Sequence, residues 1–327
     1  MLSRVADSVY WLARQIERAE NVARFLDVNH HLSLDTSSLD AQWEPLIQTS
    51  GDLDLFRTHY GEVFTEENVI RFLAFDSVNP NSILSCVNRA RENARGVREA
   101  ISSEMWVQVN TFYHDVRNAG GWDGIRESPH AFFNSVKLDS HLFTGVTDTT
   151  MSHGEAWHFM RVARNLERAD KTTRLMDMKY FILLPQGVDV GSPLDDVQWM
   201  AVLKSASALE MYRKKHGPMD PARVVEFLLL DREFPRSVQS CVQTAEESLR
   251  SVTGSAPATF RNAAEQEMGR LCSELAYTST ADVLRVGLHE ELDRLQARLN
   301  RVDDLVHETF FALRSVAGLG RRWKDHV

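Results

Sequence analysis

Two segments of the chain carry carboxylates and arginines at spacings that place them together on helices. Glu20 stands four residues before Arg24, and Asp170 stands four residues before Arg174, the acid-first order that favours an ion pair within a helix. Carboxylates can bind an amine and arginines a carboxylate or phosphate, so an amino acid or a peptide is the ligand class that this chemistry suggests. The candidate residues are Glu17, Arg18, Glu20, Arg24 and Asp27 in the first segment and Glu167, Arg168, Asp170, Arg174 and Asp177 in the second.

The position of each charged residue around its helix decides which of them share a polar layer. At about 100° per residue, Glu17, Glu20, Arg24 and Asp27 lie on or beside the edge of the apolar stripe, whereas Arg18 lies on a second, partly apolar face. Carboxylates outnumber arginines in the expected layer, so it needs further cations: other arginines, a metal ion or a cationic ligand. Three interpretations stay open, namely ion pairs that fix the helix register, a ligand or metal pocket, and a partner surface.

A second set of candidate residues lies where two helices are expected to begin. Asn79 is expected to cap the first of these helices, with Ser82 within hydrogen-bond reach of the free backbone amides. The second segment keeps the serine as Ser237 and adds Arg236 beside it. Free amides at a helix N-terminus attract anions, so Arg236, Ser237 and Ser82 are candidate anion-binding residues. Helix capping is the alternative interpretation of the same residues.

Signals for a metal ion or a cofactor are weak. Glu155 and His158 have the Glu-x-x-His spacing of di-iron bundles, but the spacing occurs in one copy only. His289 and His307 are eighteen residues apart, which is five helical turns and too distant to share an ion. The pair His30–His31 aligns with aromatic residues of the second segment, which favours apolar packing over ligation. We therefore predict no metal site and no cofactor, and the sequence identifies no catalytic residue.

The two charged segments belong to a longer internal repeat. Residues 13–27 match residues 163–177 at seven of fifteen positions, and residues 72–92 match residues 227–247 at ten of twenty-one. Chance would give roughly one match in fifteen, so the chain is predicted to consist of two homologous halves. The predicted units are a first helical repeat at 1–147, a second helical repeat at 148–316 and a basic, aromatic C-terminal tail at 317–327.

Apolar residues recur at steps of four and three along several long segments, which is the pattern of an amphipathic helix. No segment alternates apolar and polar residues as a strand does. We predict an all-α fold: an internally duplicated helical bundle whose halves are related by a pseudo-two-fold axis and share or abut a core. The stripes next to the charged residues are Val5, Val9, Leu12, Ile16, Ala19, Ala23 and Leu26 in the first half and Phe159, Val162, Leu166, Ala169, Thr173 and Met176 in the second.

Composition limits the classes of function. The 327 residues include 46 acidic and 37 basic side chains, a formal net charge of −9, which argues against binding to nucleic acid. No run approaches about 18 consecutive apolar residues, and the N-terminus lacks the apolar run of a signal peptide, so we expect no membrane partner and no export. The 3 cysteines have no C-x-x-C spacing, and Cys86 and Cys241 are expected in the core. These features indicate a cytoplasmic protein.

The opening of the chain resembles the start of the bacterial alpha-E family, which is named for its helices and a Glu-Arg motif. The segments similar to the family are residues 1–20, with Glu17-Arg18 as a motif pair, residues 143–151, Glu167-Arg168 as a second motif pair, Phe234–Ser237 and residues 307–313. Family members resemble accessory proteins found beside, or fused to, circularly permuted ATP-grasp ligases and transglutaminase-like proteases. The resemblance therefore implies a part in making or modifying a peptide-like product. An ATP-grasp-type ligase is the expected partner, with a transglutaminase-like protein as a second one.

Three functions follow from these observations. The leading hypothesis is a non-catalytic helical partner of an ATP-grasp ligase, because the chain combines a duplicated helical scaffold with no recognisable catalytic constellation. The alternative is an enzyme or a small-molecule binder that uses the Glu-Arg layer to hold an amino acid or a peptide. The third is an oligomeric scaffold without a ligand, in which copies of the chain form a homo-oligomer.

Overall fold

The computed structural model describes residues 1–35, 43–183 and 193–312. Within these ranges every regular element is a helix, which confirms the all-α prediction. The expected C-terminal tail at 317–327 and the last residues of the second repeat lie outside the described residues. None of the described helices is both long and apolar enough to cross a membrane.

Each predicted half opens with a long helix and closes with another. The first half contains α1 (Ser3–Asp35), α2 (Glu44–Ser50), α3 (Leu53–Tyr60), α4 (Glu66–Ile70, continued by a π-helical turn at Arg71–Phe75), α5 (Ile83–Gly96), α6 (Ser103–Asn118), α7 (Gly121–Ile125) and α8 (Pro129–Thr150). The second half contains α9 (Glu155–Leu183), α10 (Pro193–Ser205), α11 (Leu209–His216), α12 (Pro221–Leu230), α13 (Val238–Thr253), α14 (Ala263–Tyr277), α15 (Thr280–Val286) and α16 (Leu288–Val306, continued by a π-helical turn at His307–Phe311).

The helices α1 and α9 form the centre of the fold and pack against each other. α1 also packs against α5 and α8, and α5 packs against α6. In the same order, α9 packs against α13 and α16, and α13 packs against α14. Shorter helices also pack across the two predicted halves: α2 packs on α9, and α10 packs on α1. The internal duplication stays a prediction, and this matched order of packing is what a duplication would produce.

The buried apolar residues form one cluster that includes side chains from both predicted halves. On α1, Val9, Leu12 and Ile16 lose nearly all contact with water, as Val162 and Leu166 do on α9. These residues belong to the predicted apolar stripes, and burial of each such large side chain contributes about 1.5–3 kcal/mol to the free energy of unfolding. The halves therefore share a core, and the division of the chain into two repeats stays a prediction.

Candidate functional site

The two Glu-Arg pairs lie where α1 and α9 face each other. Arg18 donates from Nε to Glu167 Oε1 (2.7 Å) and from Nη2 to Oε2 (2.9 Å). Arg168 donates in the same way to Glu17, from Nε to Oε1 (2.9 Å) and from Nη2 to Oε2 (2.8 Å). Both glutamates are buried. The glutamate of each helix therefore binds the arginine of the other helix through two parallel hydrogen bonds. This bidentate geometry makes arginine–carboxylate contacts strong and directional.

The position of Arg18 differs from the expectation based on sequence. The helical wheel places it on a second face, away from the polar layer, but its guanidinium contacts both Glu167 and Asn81 Oδ1 (2.9 Å). The wheel describes the direction of the Cα–Cβ bond, whereas the arginine side chain is long enough to bend around the helix. Arg168 behaves in the same way on α9, so both motif arginines belong to the layer.

Further cations complete the layer, and they are side chains of the chain itself. Glu167 also accepts from Arg14 Nε (2.9 Å) and lies 3.6 Å from Lys171 Nζ. Glu17 also accepts from Arg236 Nη1 (3.1 Å). Each carboxylate oxygen of these two glutamates therefore has a cationic partner, as a buried charge requires.

Each central helix also carries an ion pair of its own, as the spacing predicts. Arg24 donates from Nε to Glu20 Oε1 (2.9 Å), and Arg174 donates from Nε to Asp170 Oδ2 (2.9 Å). Arg236 contacts Glu20 with its second amino group. These pairs begin one turn beyond the Glu-Arg pairs and extend the polar layer along α1 and α9.

The layer favours the ionised form of Glu167 and contains more cations than carboxylates. Burial opposes ionisation of Glu167, but Arg18, Arg14 and Lys171 outweigh it and keep its pKa well below the ordinary value of 4.5. The sequence pattern indicates fewer cations than carboxylates in the layer, whereas the structure places more cations than carboxylates there. The described members are the carboxylates Glu17, Glu20, Glu167, Asp170 and Asp303 and the cations Arg14, Arg18, Arg24, Arg168, Lys171, Arg174 and Arg236.

The three candidate anion-binding residues make contacts within the chain. The backbone amide three residues further on donates to the hydroxyl oxygen of Ser82 (3.2 Å) and to that of Ser237 (3.1 Å), so these serines cap α5 and α13. The expectation that Asn79 is the cap is wrong, because the chain makes one more turn before α5 and Ser82 has the extended backbone of a cap residue. Arg236 points into the polar layer. Anion binding by these residues stays a prediction.

Beyond the polar layer, near the end of α1, Asp27 lies among side chains of α8. His130 Nδ1 lies 2.7 Å from Asp27 Oδ1, Lys137 Nζ donates to Oδ2 (2.7 Å), and His31 Nδ1 lies 3.6 Å from Oδ1. Burial opposes ionisation of Asp27, but hydrogen bonds from Lys137 and His130 keep its pKa below the ordinary value. His31 is exposed, so the expectation of an apolar packing role for the pair His30–His31 is wrong for His31.

Asp177, the counterpart of Asp27 in the predicted repeat, has a similar neighbour on α16. His289 Nδ1 lies 2.7 Å from Asp177 Oδ1, and its Nε2 lies 3.6 Å from Asp293 Oδ2. Two groups of side chains have ligating atoms within 4.8 Å of one another, close enough to share a metal ion. They are Asp27, His31 and His130, and Asp177, His289 and Asp293. Sequence reasoning missed both groups. The available signal was the spacing of four residues between Asp27 and His31 and between His289 and Asp293, which places each pair on one face of a helix.

The sequence is similar to one family of helical proteins. Residues 1–311 match the model of Alpha-E, which is described as a predicted alpha-helical domain with a conserved ER motif. Over 95% of its length the chain is 23% identical to the uncharacterized proteins Rv2567 of Mycobacterium tuberculosis and Mb2597 of Mycobacterium bovis. The match covers 37% of the length of each of these relatives. No solved structure matches the chain.

Proposed function

The chain belongs to the Alpha-E family, and we propose that it acts as a non-catalytic partner of an ATP-grasp-type amide ligase that makes or modifies a peptide-like product. The observation that carries this proposal is the closed polar layer: both carboxylate oxygens of Glu17 and of Glu167 are bound by arginines of the chain. A general acid or base must reach the proton it transfers to or from its substrate. Glutamates bound in this way are better suited to holding α1 against α9 than to catalysis.

The lengths of the mycobacterial relatives support a partner role. Because the match covers 37% of each relative, nearly two thirds of their length lies outside it. A helical unit that is joined to further chain in its relatives is expected to work against a neighbouring domain. We propose the ligase as that neighbour, in the cytoplasm, with a transglutaminase-like protein as a second partner.

A small-molecule binder that uses the polar layer is the alternative function, and the space beside the layer argues against it. The cavity at Glu17 is lined among others by Thr144, Trp157, Arg161 and Arg164 and has a volume of about 10 Å³. A cavity of this size holds about one water molecule, which is much smaller than an amino acid. The alternative therefore requires the helices to separate before a ligand enters.

Co-purification tests the proposal. The tagged chain is expressed together with an ATP-grasp ligase of the same organism, and the mixture is analysed by size-exclusion chromatography with light scattering. We expect the two proteins to elute together in a fixed ratio, and an ATP-grasp ligase of an unrelated system, the matched control, to elute separately. Separate elution of the ligase of the same organism at micromolar concentration would contradict the proposal. Elution of the chain alone as a homo-oligomer would favour the scaffold hypothesis instead.

A further inference from the structure

We propose that Asp27, His31 and His130 bind a divalent transition-metal ion of the zinc class. Asp27 and His31 lie near the end of α1, and His130 is the second residue of α8. Their ligating atoms lie within 4.8 Å of one another, so one ion can reach all three. Imidazole nitrogen and carboxylate oxygen are ligands that zinc and its neighbours in the transition series accept.

The distances between the ligating atoms suit a small ion. Zinc binds nitrogen and oxygen at about 2.0–2.2 Å, which in a tetrahedral site separates two ligating atoms by roughly 3.3 Å. His31 Nδ1 lies 3.6 Å from Asp27 Oδ1, and His130 Nδ1 lies 2.7 Å from the same oxygen. The shorter distance is that of a hydrogen bond, so the ion takes the place of the proton between His130 and Asp27. The two side chains then separate by about half an ångström.

The Asp27 carboxylate is also held in a fixed orientation by a neighbouring side chain. Asp27 is buried, and Lys137 donates to its second oxygen, Oδ2, at 2.7 Å. A hydrogen-bonding neighbour of this kind fixes the orientation of a carboxylate that binds metal through its other oxygen.

The two histidines leave one side of the site open to water. The side chains of His31 and His130 are 51% and 54% exposed, so an ion can enter while the chain stays folded. His31 gives up a contact of 2.8 Å between its Nδ1 and the carbonyl oxygen of Asp27 when that nitrogen binds the ion. Three protein ligands with an open fourth position are typical of zinc sites that bind water or an external ligand, whereas structural sites have four protein ligands.

The corresponding group on α9 and α16 gives an internal comparison. Asp177 and His289 repeat the aspartate–histidine contact at 2.7 Å, but the third member of the group is Asp293. One imidazole and two carboxylates form a harder set of ligands, which suits zinc less well than two imidazoles and one carboxylate do. We therefore expect the Asp27 group to bind zinc more tightly than the Asp177 group.

Calorimetric titration of the full chain with Zn²⁺, after treatment with EDTA and removal of the chelator, tests the proposal. We expect one tight site in the wild type and a dissociation constant at least about tenfold larger in His31→Ala and in His130→Ala. His59→Ala is the matched control, because it removes an exposed histidine of α3. It is expected to bind Zn²⁺ as tightly as the wild type does, and His289→Ala is expected to keep the tight site as well.

Cobalt gives a second readout of the same site. The chain loaded with Co²⁺ is expected to gain a visible absorption that His130→Ala does not show, and circular dichroism checks that each variant stays folded. Equal Zn²⁺ binding by the wild type, His31→Ala and His130→Ala would overturn the proposal. Loss of the tight site in His289→Ala alone would also overturn it. Absence of Zn²⁺ binding by the wild-type chain would overturn it as well.

Discussion

Arg18 of α1 binds Glu167 of α9 through two N–H···O contacts of 2.7 and 2.9 Å, and Arg168 and Glu17 repeat the arrangement in the opposite direction. Because glutamate and arginine are neighbours in each motif, each helix contributes one carboxylate and one guanidinium to the two ion pairs. The reciprocal contact fixes the position of α1 along and around α9. It accounts for the Glu-Arg motif as a contact that holds the two central helices together.

Replacement of Glu167 by Gln removes the negative charge that three cations share. Arg14, Arg18 and Lys171 keep their charges in a buried site, so we expect the free energy of unfolding to fall by about 3–5 kcal/mol. Urea unfolding followed by circular dichroism measures the change. Glu62→Gln is the control, because Glu62 belongs to an exposed ion pair that contributes about 1 kcal/mol or less. Equal losses in the two variants would contradict the structural role of Glu167.

Acid is expected to weaken the polar layer. The pKa of Glu167 in the folded chain lies well below its ordinary value of 4.5, so the unfolded chain binds a proton there more readily. The stabilisation from this group is therefore complete above about pH 4.5 and is lost as the pH falls towards the folded pKa. Unfolding free energies measured between about pH 3 and 7 are expected to fall more steeply in the wild type than in Glu167→Gln. Parallel curves would show that Glu167 is not the group responsible.

Arg164 is less closely paired with carboxylates than Arg14, its counterpart in the predicted repeat. Arg14 contacts both Glu167 and Asp303. Arg164 Nη2 lies 3.9 Å from Asp148 Oδ2, and its Nε has no hydrogen-bond acceptor among the described residues. Burial, followed by the charge of a neighbouring arginine, lowers the pKa of the Arg164 guanidinium. Thr144 lines the same small cavity as Arg164. An acidic side chain at Thr144 is therefore placed to supply a closer carboxylate and an acceptor for this Nε.

We expect Thr144→Asp to raise the free energy of unfolding by about 1 kcal/mol, because the new carboxylate meets a largely buried arginine. Thr149→Asp, the control, adds the same charge at an exposed position of α8 and is expected to give no gain. Thermal unfolding of both variants beside the wild type measures the difference. A lower melting temperature in Thr144→Asp than in Thr149→Asp would refute the expected pairing with Arg164.

The three cysteines are expected to react at different rates with a disulfide reagent such as DTNB. Cys86 and Cys241 are buried, as the sequence predicts, and burial raises the pKa of both thiols to about 12. Cys272 is half-buried, and burial raises its pKa to about 11. Since the accessible thiolate is the reactive form, Cys272 is expected to react first in the folded chain. Cys272→Ser is expected to lose that first phase, and its persistence in this variant would contradict the assignment.

The sequence predicts the helices more accurately than it predicts the contacts between them. The stripe that contains Leu12 and Ile16 is buried as expected, because the spacing of apolar residues is a local property of the chain. Arg18 is placed on the wrong face, because its partner Glu167 is 149 residues away and only the packing of α9 on α1 decides where the guanidinium binds. The surplus of cations in the layer escaped prediction for the same reason, since Arg236 enters it from the start of α13.

The Asp27 group joins residues that are far apart in the sequence. Asp27 and His130 are 103 residues apart, and they meet only because α8 returns to pack against α1. Motif spacing describes the pairs Asp27–His31 and His289–Asp293, each four residues apart on one helix, but it identifies neither His130 nor Asp177 as the third member. Topology is needed to find such a site.

The rate of ADP formation by the ATP-grasp ligase, measured while the chain is added in steps, tests the partner role. We predict that the rate rises and becomes constant when the two proteins are present in equal amounts. The unfolded chain, added in the same steps, is the control and is expected to leave the rate unchanged. A ligase that runs at its full rate without the chain, and at the same rate with it, would contradict the proposed function.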